Sequence, residues 1–128
     1  MEIGVRVGNA ADEGADCGGW FLGHFIGRPD HNPEPRRTGA VEVKWGVHPA
    51  GQGRRAAATN ARATTLSVLV RGRFRLRFPG REALLVREGD YVLWGPGIAH
   101  DWLAEADSIV LTVRWPSLPA DSSETPTS

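Results

Sequence analysis

The sequence predicts an all-β fold in which short antiparallel strands close into a barrel or pack as a sandwich. The first observation behind this prediction is that apolar and polar residues alternate with a period of two along most of the chain. The second is that no stretch of about ten residues repeats its apolar positions with a helical period. The third is the abundance of turn formers, 16 glycines and 9 prolines, which separate the alternating segments.

Several segments carry the alternation, and some of them contain a turn that divides them into two strands. The turns fall at Gly72, at the pair Gly89-Asp90 and within residues 105–108. No helical period appears in the stretch 53–65 either, although it is rich enough in alanine to hold a short turn. The alternating segments are 19–27, 40–49, 64–80, 82–97 and 100–116.

The strand predicted within residues 40–49 has one apolar and one polar face, and its orientation decides whether it contributes to a site. Valines and Trp45 occupy one face, whereas Glu42, Lys44 and His48 occupy the other. In one interpretation the polar face is solvated and the apolar face packs inside the barrel. In the other, Glu42 and His48 point inward.

Four arginines alternate with apolar residues in the strand around position 74. Their shared parity places them on one face, which we interpret as the solvated outer face of a half-buried sheet. Because like charges two residues apart repel each other, we expect a carboxylate partner from Glu82 or Glu88 on the next strand. The arginines are Arg71, Arg73, Arg75 and Arg77.

The length of 128 residues predicts a single domain with one hydrophobic core. Residues 1–18 are rich in glycine, alanine and acids, and we interpret them as a loose N-terminal segment. Residues 19–117 form the predicted barrel domain. Residues 118–128 are polar and contain proline, which predicts a disordered C-terminal tail.

Charge and composition exclude several classes of partner. The formal net charge is zero, so nothing in the overall field favours nucleic acid or an anionic membrane surface. No apolar run approaches the ~20 residues of a membrane span, and the N-terminus lacks the apolar core of a signal peptide. We therefore expect a cytoplasmic protein. Cys17 is the only cysteine, which excludes an intrachain disulfide.

A short motif near the C-terminal end of the chain carries a family resemblance. Together with "PAGQG" and "TTLSVLVRGRFRLRF", the stretch "LVREGDYVLWGPGIAH" resembles a small single-domain bacterial cupin over roughly residues 40–115. In the second cupin motif, G-x5-P-x-G-x2-H-x3-N, Gly89, Gly97 and His100 stand in register, while the proline and asparagine positions do not match. The resemblance implies an antiparallel jelly-roll β-barrel with a ligand or metal pocket inside, and no particular reaction.

The first cupin motif, which supplies two histidines and a glutamate in metal-binding cupins, has no match in this chain. Counting back from Gly72 places those ligands near Thr59, Ala61 and Thr65, and residues 49–80 contain no histidine or carboxylate. A stable transition-metal site requires three or four imidazole, carboxylate or thiolate groups. We therefore expect no metal cofactor.

Other strands offer an alternative set of metal ligands. If the polar face of residues 40–49 points inward, His48 and Glu42 join His100 as two imidazoles and one carboxylate. A divalent metal held by these three groups is kept as an alternative.

The predicted pocket contains aromatic side chains around the motif histidine. Trp94 and Trp102 flank the turn that ends at His100, and indoles beside an imidazole suit a flat or apolar organic molecule. Thr65 and Ser67 lie two residues apart and so point to the same side of their strand. We expect both to line the cavity at the position that metal ligands occupy in other cupins. The predicted ligand-binding residues are His100, Trp94, Trp102, Thr65, Ser67, His48 and Arg114.

Three functions remain open at this point. The first is the binding of a small organic ligand inside the barrel without a metal. The second is an enzyme, either a metal-free isomerase or cyclase in which His100 is the catalytic acid and base, or the metal enzyme described above. The third is a ligand-sensing or assembly module that acts through a homodimer, with Trp45 and its strand at the interface.

Overall fold

The structure is a computed structural model that describes residues 4–27, 34–54 and 56–126. Within these residues one short helix, α1, is followed by a 3-10 turn at Ala15–Cys17 and by the strands β1 to β10. No helix in this part of the chain has the length and apolarity needed to cross a bilayer. The bounds are α1 Ala10–Gly14, β1 Trp20–Leu22, β2 Glu42–His48, β3 Ala56–Asn60, β4 Thr64–Arg71, β5 Phe74–Phe78, β6 Arg81–Leu85, β7 Tyr91–Trp94, β8 Asp101–Ala104, β9 Ser108–Trp115 and β10 Ser122–Pro126.

The strands form two layers that enclose the core. One layer is a five-stranded sheet with the order β1-β2-β9-β4-β7, and the other is a three-stranded sheet with the order β6-β5-β8. Strands β3 and β10 pair as a separate ribbon, which a bridge between Ala58 and His100 attaches to the start of β8. All pairings between named strands are antiparallel, so the predicted all-β antiparallel fold is confirmed.

The hydrophobic core lies between the inner faces of the two larger sheets. Along β4 the burial alternates residue by residue, so that Thr65, Ser67 and Leu69 face the interior, as the period of two predicts. Burying a leucine or phenylalanine side chain contributes about 1.5–3 kcal/mol, so this cluster is the main source of stability. Its buried members are Leu69, Phe74, Leu76, Leu85, Trp94, Ala104 and Val110.

Two segments that were predicted to be irregular contain regular structure. The N-terminal segment holds α1, whose first turn is capped by Asn9 because its Oδ1 accepts a hydrogen bond from the backbone N–H of Asp12 at 3.0 Å. The predicted disordered tail contains β10, which pairs with β3 from Ser122 opposite Asn60 to Pro126 opposite Ala56. This strand is held by main-chain pairing with β3, which the polar composition of the tail does not predict.

The alanine-rich stretch is also more regular than expected. Instead of a short turn, Ala56–Asn60 form β3, with β10 along its length and a bridge from Ala58 to His100. Alanine has low intrinsic preference for strands, but pairing with other strands overrides such preferences. The prediction of a turn here was wrong for that reason.

The arginines in and just before β5 lie on the outer face and pair with carboxylates. Arg75 forms ion pairs with Glu82 at 2.6 Å and with Glu105 at 2.7 Å. Arg73 shares Glu105 at 2.8 Å, and Arg77 pairs with Asp101 at 2.5 Å. The predicted partner Glu82 is therefore present, and β8 and its following turn supply two more. Exposed pairs of this kind contribute only about 0.2–1 kcal/mol each.

Candidate functional site

A cavity of about 90 Å³ lies between the two sheets. Its volume corresponds to roughly six to nine water-sized groups at ~10–15 Å³ each. The wall is polar for a barrel interior, because cations, imidazoles and hydroxyls outnumber the apolar side chains. It consists of Lys44, Arg54, Arg114, His48, His100, Ser67, Thr112, Trp20, Trp94, Trp102, Phe74, Leu76 and Val110.

Strand β2 contributes to this wall with its polar face. Lys44 and His48 line the cavity, whereas Val47 is 61% exposed on the opposite face. The interpretation in which the polar face is solvated and the valines pack inside was therefore wrong. The alternation of valines with polar residues suggested the wrong orientation for this strand, because the inner side of β2 faces a polar cavity rather than the hydrophobic core.

Lys44 is the most unusual group in the wall. Burial, together with the nearby positive charges of Arg114 and Arg54, lowers the pKa of its ammonium from 10.5 to about 8. The Nζ atom lies 5.9 Å from the ring centroid of Trp20 and 5.8 Å from that of Trp102. Two indole faces thus provide weak cation–π stabilisation to a charge that has lost part of its hydration.

Arg114 enters the cavity from β9, directly opposite Glu42 of β2. Its guanidinium carbon lies 4.8 Å from the ring centroid of Trp20, and its Nη1 lies 3.5 Å from a carboxylate oxygen of Glu42. Its Nε is buried and has no hydrogen-bond partner among the described residues. Arg114 therefore has unused donor capacity beside the cavity.

His100 is 3% exposed and is held from both its backbone and its ring. Its backbone exchanges two hydrogen bonds with Ala58, at 2.8 and 2.9 Å. Its Nδ1 lies 3.1 Å from the carbonyl oxygen of Ile98, which can only accept, so the neutral ring carries its proton on Nδ1 and keeps Nε2 as an acceptor. Burial lowers the pKa of His100, and this favours the neutral form.

His48 has a parallel arrangement on the other sheet. Its Nδ1 lies 2.6 Å from Oε1 of Gln52, and its ring lies 4.5 Å from that of Trp102 and 5.2 Å from that of Phe74, centroid to centroid. Burial lowers the pKa of His48, and the charge of Lys44 acts in the same direction. The cavity wall thus holds two imidazoles that are neutral near pH 7.

The two hydroxyl residues predicted from β4 have different environments. Ser67 lines the cavity and shares a hydrogen bond with Thr112 of β9, with 3.0 Å between the two oxygens. Thr65 is fully buried, but it does not line the cavity, and its Oγ1 has no partner among the described residues. Of the seven predicted ligand-binding residues, the structure brings six to one cavity and leaves Thr65 out.

The alternative metal ligands do not converge. The carboxylate of Glu42 accepts a hydrogen bond from Oγ of Ser117 at 2.7 Å and faces Arg114, outside the wall that contains His48 and His100. Among the described residues no three histidine, cysteine, aspartate or glutamate side chains are grouped so that they could hold a metal ion. The side chains of His48, His100 and Glu42 therefore do not meet at one point in this structure.

Sequence reasoning missed Lys44, Arg54, Trp20 and Thr112 as cavity residues. The sequence could have identified Lys44, because it lies four residues before His48 on the same strand and so points to the same face. His48 was already a candidate site residue. Thr112 likewise lies two residues before Arg114 on β9 and points to the same face. Arg54 lies in the loop before β3, where its backbone N–H donates to the carbonyl of Trp102 at 3.1 Å, and no periodicity identifies such a residue.

Comparison with solved structures identifies the architecture. An uncharacterized conserved protein with a double-stranded β-helix domain from Klebsiella pneumoniae is 15% identical, with a TM-score of 0.61 over 81% of this chain and 88% of that chain. A cupin superfamily protein from Desulfitobacterium hafniense is 14% identical, with a TM-score of 0.56 over 62% of this chain and 70% of that chain. The chain has the cupin fold.

The cupin fold also occurs in a larger structure that matches this chain. A mutant of salicylate 1,2-dioxygenase from Pseudoaminobacter salicylatoxidans is 16% identical, with a TM-score of 0.52 over 59% of this chain and 21% of that chain. No protein-family model and no curated protein matches the sequence. At these identities the likeness establishes the fold of the cupin barrel alone.

The residues of this cupin barrel do not suit a bound divalent cation. The positions that the first cupin motif assigns to ligands hold Thr59, Ala61 and Thr65, and no carboxylate lines the cavity within the described residues. Three cationic side chains stand in the wall instead, and they would repel a metal ion.

Proposed function

We propose that this cupin barrel binds a small organic molecule in the cavity between its two sheets. The observation that carries the proposal is the convergence of polar groups on one cavity. Two imidazoles, two hydroxyls and three cations line it together with three indole rings. A mainly apolar wall with a few oriented polar groups is typical of ligand sites, and here the polar share is larger.

Indole fluorescence and native mass spectrometry test this proposal. Trp20, Trp94 and Trp102 line the cavity, so we expect an occupant to change tryptophan emission. Native mass spectrometry of protein purified without a histidine tag should show a small mass adduct that denaturation removes. Stoichiometric zinc, iron or manganese in the same sample would contradict a metal-free site.

A cavity-filling variant supplies the matched comparison. Val110 is buried in the wall, and Val110→Phe should fill the space at an overpacking cost of about 1–3 kcal/mol. Leu93→Phe makes a similar change on an exposed position of β7. We expect the adduct to disappear in the first variant and to persist in the second, with circular dichroism confirming that both are folded. An adduct that persists in Val110→Phe would place the ligand elsewhere.

A catalytic role for His100 is the second candidate. The observation that favours it is the fixed tautomer, in which the Nδ1 proton is held by the carbonyl of Ile98 and Nε2 is left as a neutral base. With a reactive substrate, we expect His100→Gln to abolish turnover while binding persists. If binding is lost together with turnover, His100 is a ligand contact and the barrel is a binding module.

A further inference from the structure

We infer that the occupant of the cavity is a small organic carboxylate. This inference rests on the proposed function and narrows it, since it assigns the charge and the size of the ligand. It replaces the flat or apolar ligand that the aromatic residues alone predict.

The charge of the wall is the first argument. Lys44, Arg54 and Arg114 reach the same cavity from β2, from the loop before β3 and from β9. No carboxylate stands in the wall within the described residues. The positive charges of Lys44 and Arg114 repel each other across this cavity, and an anion placed between them would offset that repulsion.

The second argument is that the carboxylates near the cavity already have partners. Glu42 faces Arg114 but also accepts a hydrogen bond from Ser117, and it lies outside the wall. Asp101, which follows His100, pairs with Arg77 on the outer face. Glu42 is thus shared between Ser117 and Arg114, and the ammonium of Lys44 has no ion pair with a carboxylate among the described residues.

Unused hydrogen-bond donors are the third argument. The buried Nε of Arg114 and the buried Nε1 of Trp94 have no partner among the described residues, and both residues line the cavity. A buried donor without an acceptor costs about 1–3 kcal/mol, so a ligand that brings acceptor oxygens is favoured. A carboxylate carries two such oxygens in a plane that matches a guanidinium.

Size and the indole rings distinguish an organic carboxylate from inorganic phosphate. The cavity of about 90 Å³ leaves space for a short carbon body beside the charged head. Trp20 and Trp102 provide the apolar faces against which that body would pack. Phosphate would use the cations and leave those faces in contact with water.

The test compares acids with their uncharged amides. We expect acetate, propionate or benzoate to quench or shift tryptophan emission and to raise the melting temperature. Acetamide, propionamide and benzamide should bind at least tenfold more weakly, because they keep the shape and lose the charge. Inorganic phosphate at equal ionic strength forms the third arm. Amides that bind as tightly as acids, or phosphate that binds more tightly than every acid, would overturn the inference.

Neutral variants locate the charge that matters. Lys44→Met preserves the length of the side chain and should reduce affinity for the best acid at least tenfold while leaving the affinity for its amide unchanged. Arg81→Met removes a cation from an exposed position at the start of β6 and should change neither. Equal loss in both variants would indicate a non-specific effect of net charge and contradict the inference.

The outcomes also separate this inference from the proposed function. If amides and acids bind equally, the barrel binds small molecules and the assignment of charge is wrong. If no compound changes the emission or the melting temperature, and native mass spectrometry shows no adduct, the proposed function fails together with the inference.

Discussion

Lys44 is a residue whose charge is costly in the folded protein. Its pKa of about 8 lies below the ordinary 10.5, so between these values the unfolded chain binds more protons than the folded one. The free energy of unfolding therefore rises as the pH increases from about 8 to 10.5, and the penalty is fully present below pH 8. An anion beside Nζ would oppose this shift.

Replacing Lys44 tests that account directly. We expect Lys44→Met to raise the free energy of unfolding at pH 7 by on the order of 1–3 kcal/mol, because it removes a poorly solvated charge without leaving a large void. Urea denaturation at pH 7 and pH 10 measures the effect, which should shrink at the higher pH. A variant that is equally destabilised at both values would show that packing, and not charge, determines the role of Lys44.

Thr65 and Thr112 are a matched pair of buried or half-buried hydroxyls with opposite environments. The Oγ1 of Thr65 has no partner among the described residues, whereas that of Thr112 is 3.0 Å from the hydroxyl of Ser67. We expect Thr65→Val to be neutral or to stabilise by about 1 kcal/mol, and Thr112→Val to destabilise by about 1 kcal/mol. Chemical denaturation of both variants checks the prediction, and the reverse order would contradict it.

At the scale of elements, strands whose inner side meets the hydrophobic core were predictable and the others were not. Strand β4 alternates in burial as its residues alternate in polarity. Strand β2 does not follow this rule, because the cavity accepts Lys44 and His48 on the side where a core strand would place valine. Strand β10 was missed because main-chain pairing with β3 creates it, and side-chain patterns do not report such pairing.

Asp121 joins the β3–β10 ribbon to the turn before β4. Its carboxylate accepts hydrogen bonds from the backbone N–H groups of Arg62 and Ala63, at 2.9 and 3.1 Å. Hydrogen bonds to a charged group contribute about 1.5–3 kcal/mol, so we expect Asp121→Ala to destabilise by that order. Asp16→Ala, at an exposed position near α1, serves as the control and should change stability by less than about 0.5 kcal/mol. Urea denaturation of both variants measures the difference.

At the scale of the whole molecule, the exposed edge of the five-stranded sheet at β7 could determine the oligomeric state. A homodimer remains a prediction, but β2, which was expected at the interface, lies inside the sheet between β1 and β9. The five-stranded sheet ends at β7, where Tyr91 is 65% and Leu93 is 54% exposed. Apolar side chains on an edge strand favour pairing with a second copy.

A charge on this edge tests the dimer. We expect Leu93→Lys to shift the mass measured by light scattering from dimer towards monomer, because edge lysines oppose strand pairing. Val47→Lys alters an equally exposed valine within β2 and should leave the mass unchanged. A wild-type chain that is monomeric at all concentrations tested would refute both the dimer and the sensing role that depends on it.

The sequence predicted the residues around the motif turn, but it did not predict the positive charge of the cavity wall. The motif turn and the tryptophans beside it located His100, Trp94 and Trp102, because local sequence determines local turns. The charge of the wall depends on Arg54, Lys44 and Arg114, which are far apart in the chain and meet only after the sheets have formed. Only the folded chain could show that three cations share one space.

The backbone pairing of Ala58 with His100 has a consequence for how occupancy of the barrel could be observed. These two amide hydrogens lie in the connection between the ribbon and the sheet that carries the histidine. A ligand that holds His100 in place would therefore slow the exchange of both hydrogens with solvent deuterium. Exchange mass spectrometry of the peptides that contain them would then report binding at the cavity, even for a ligand that leaves the tryptophan emission unchanged.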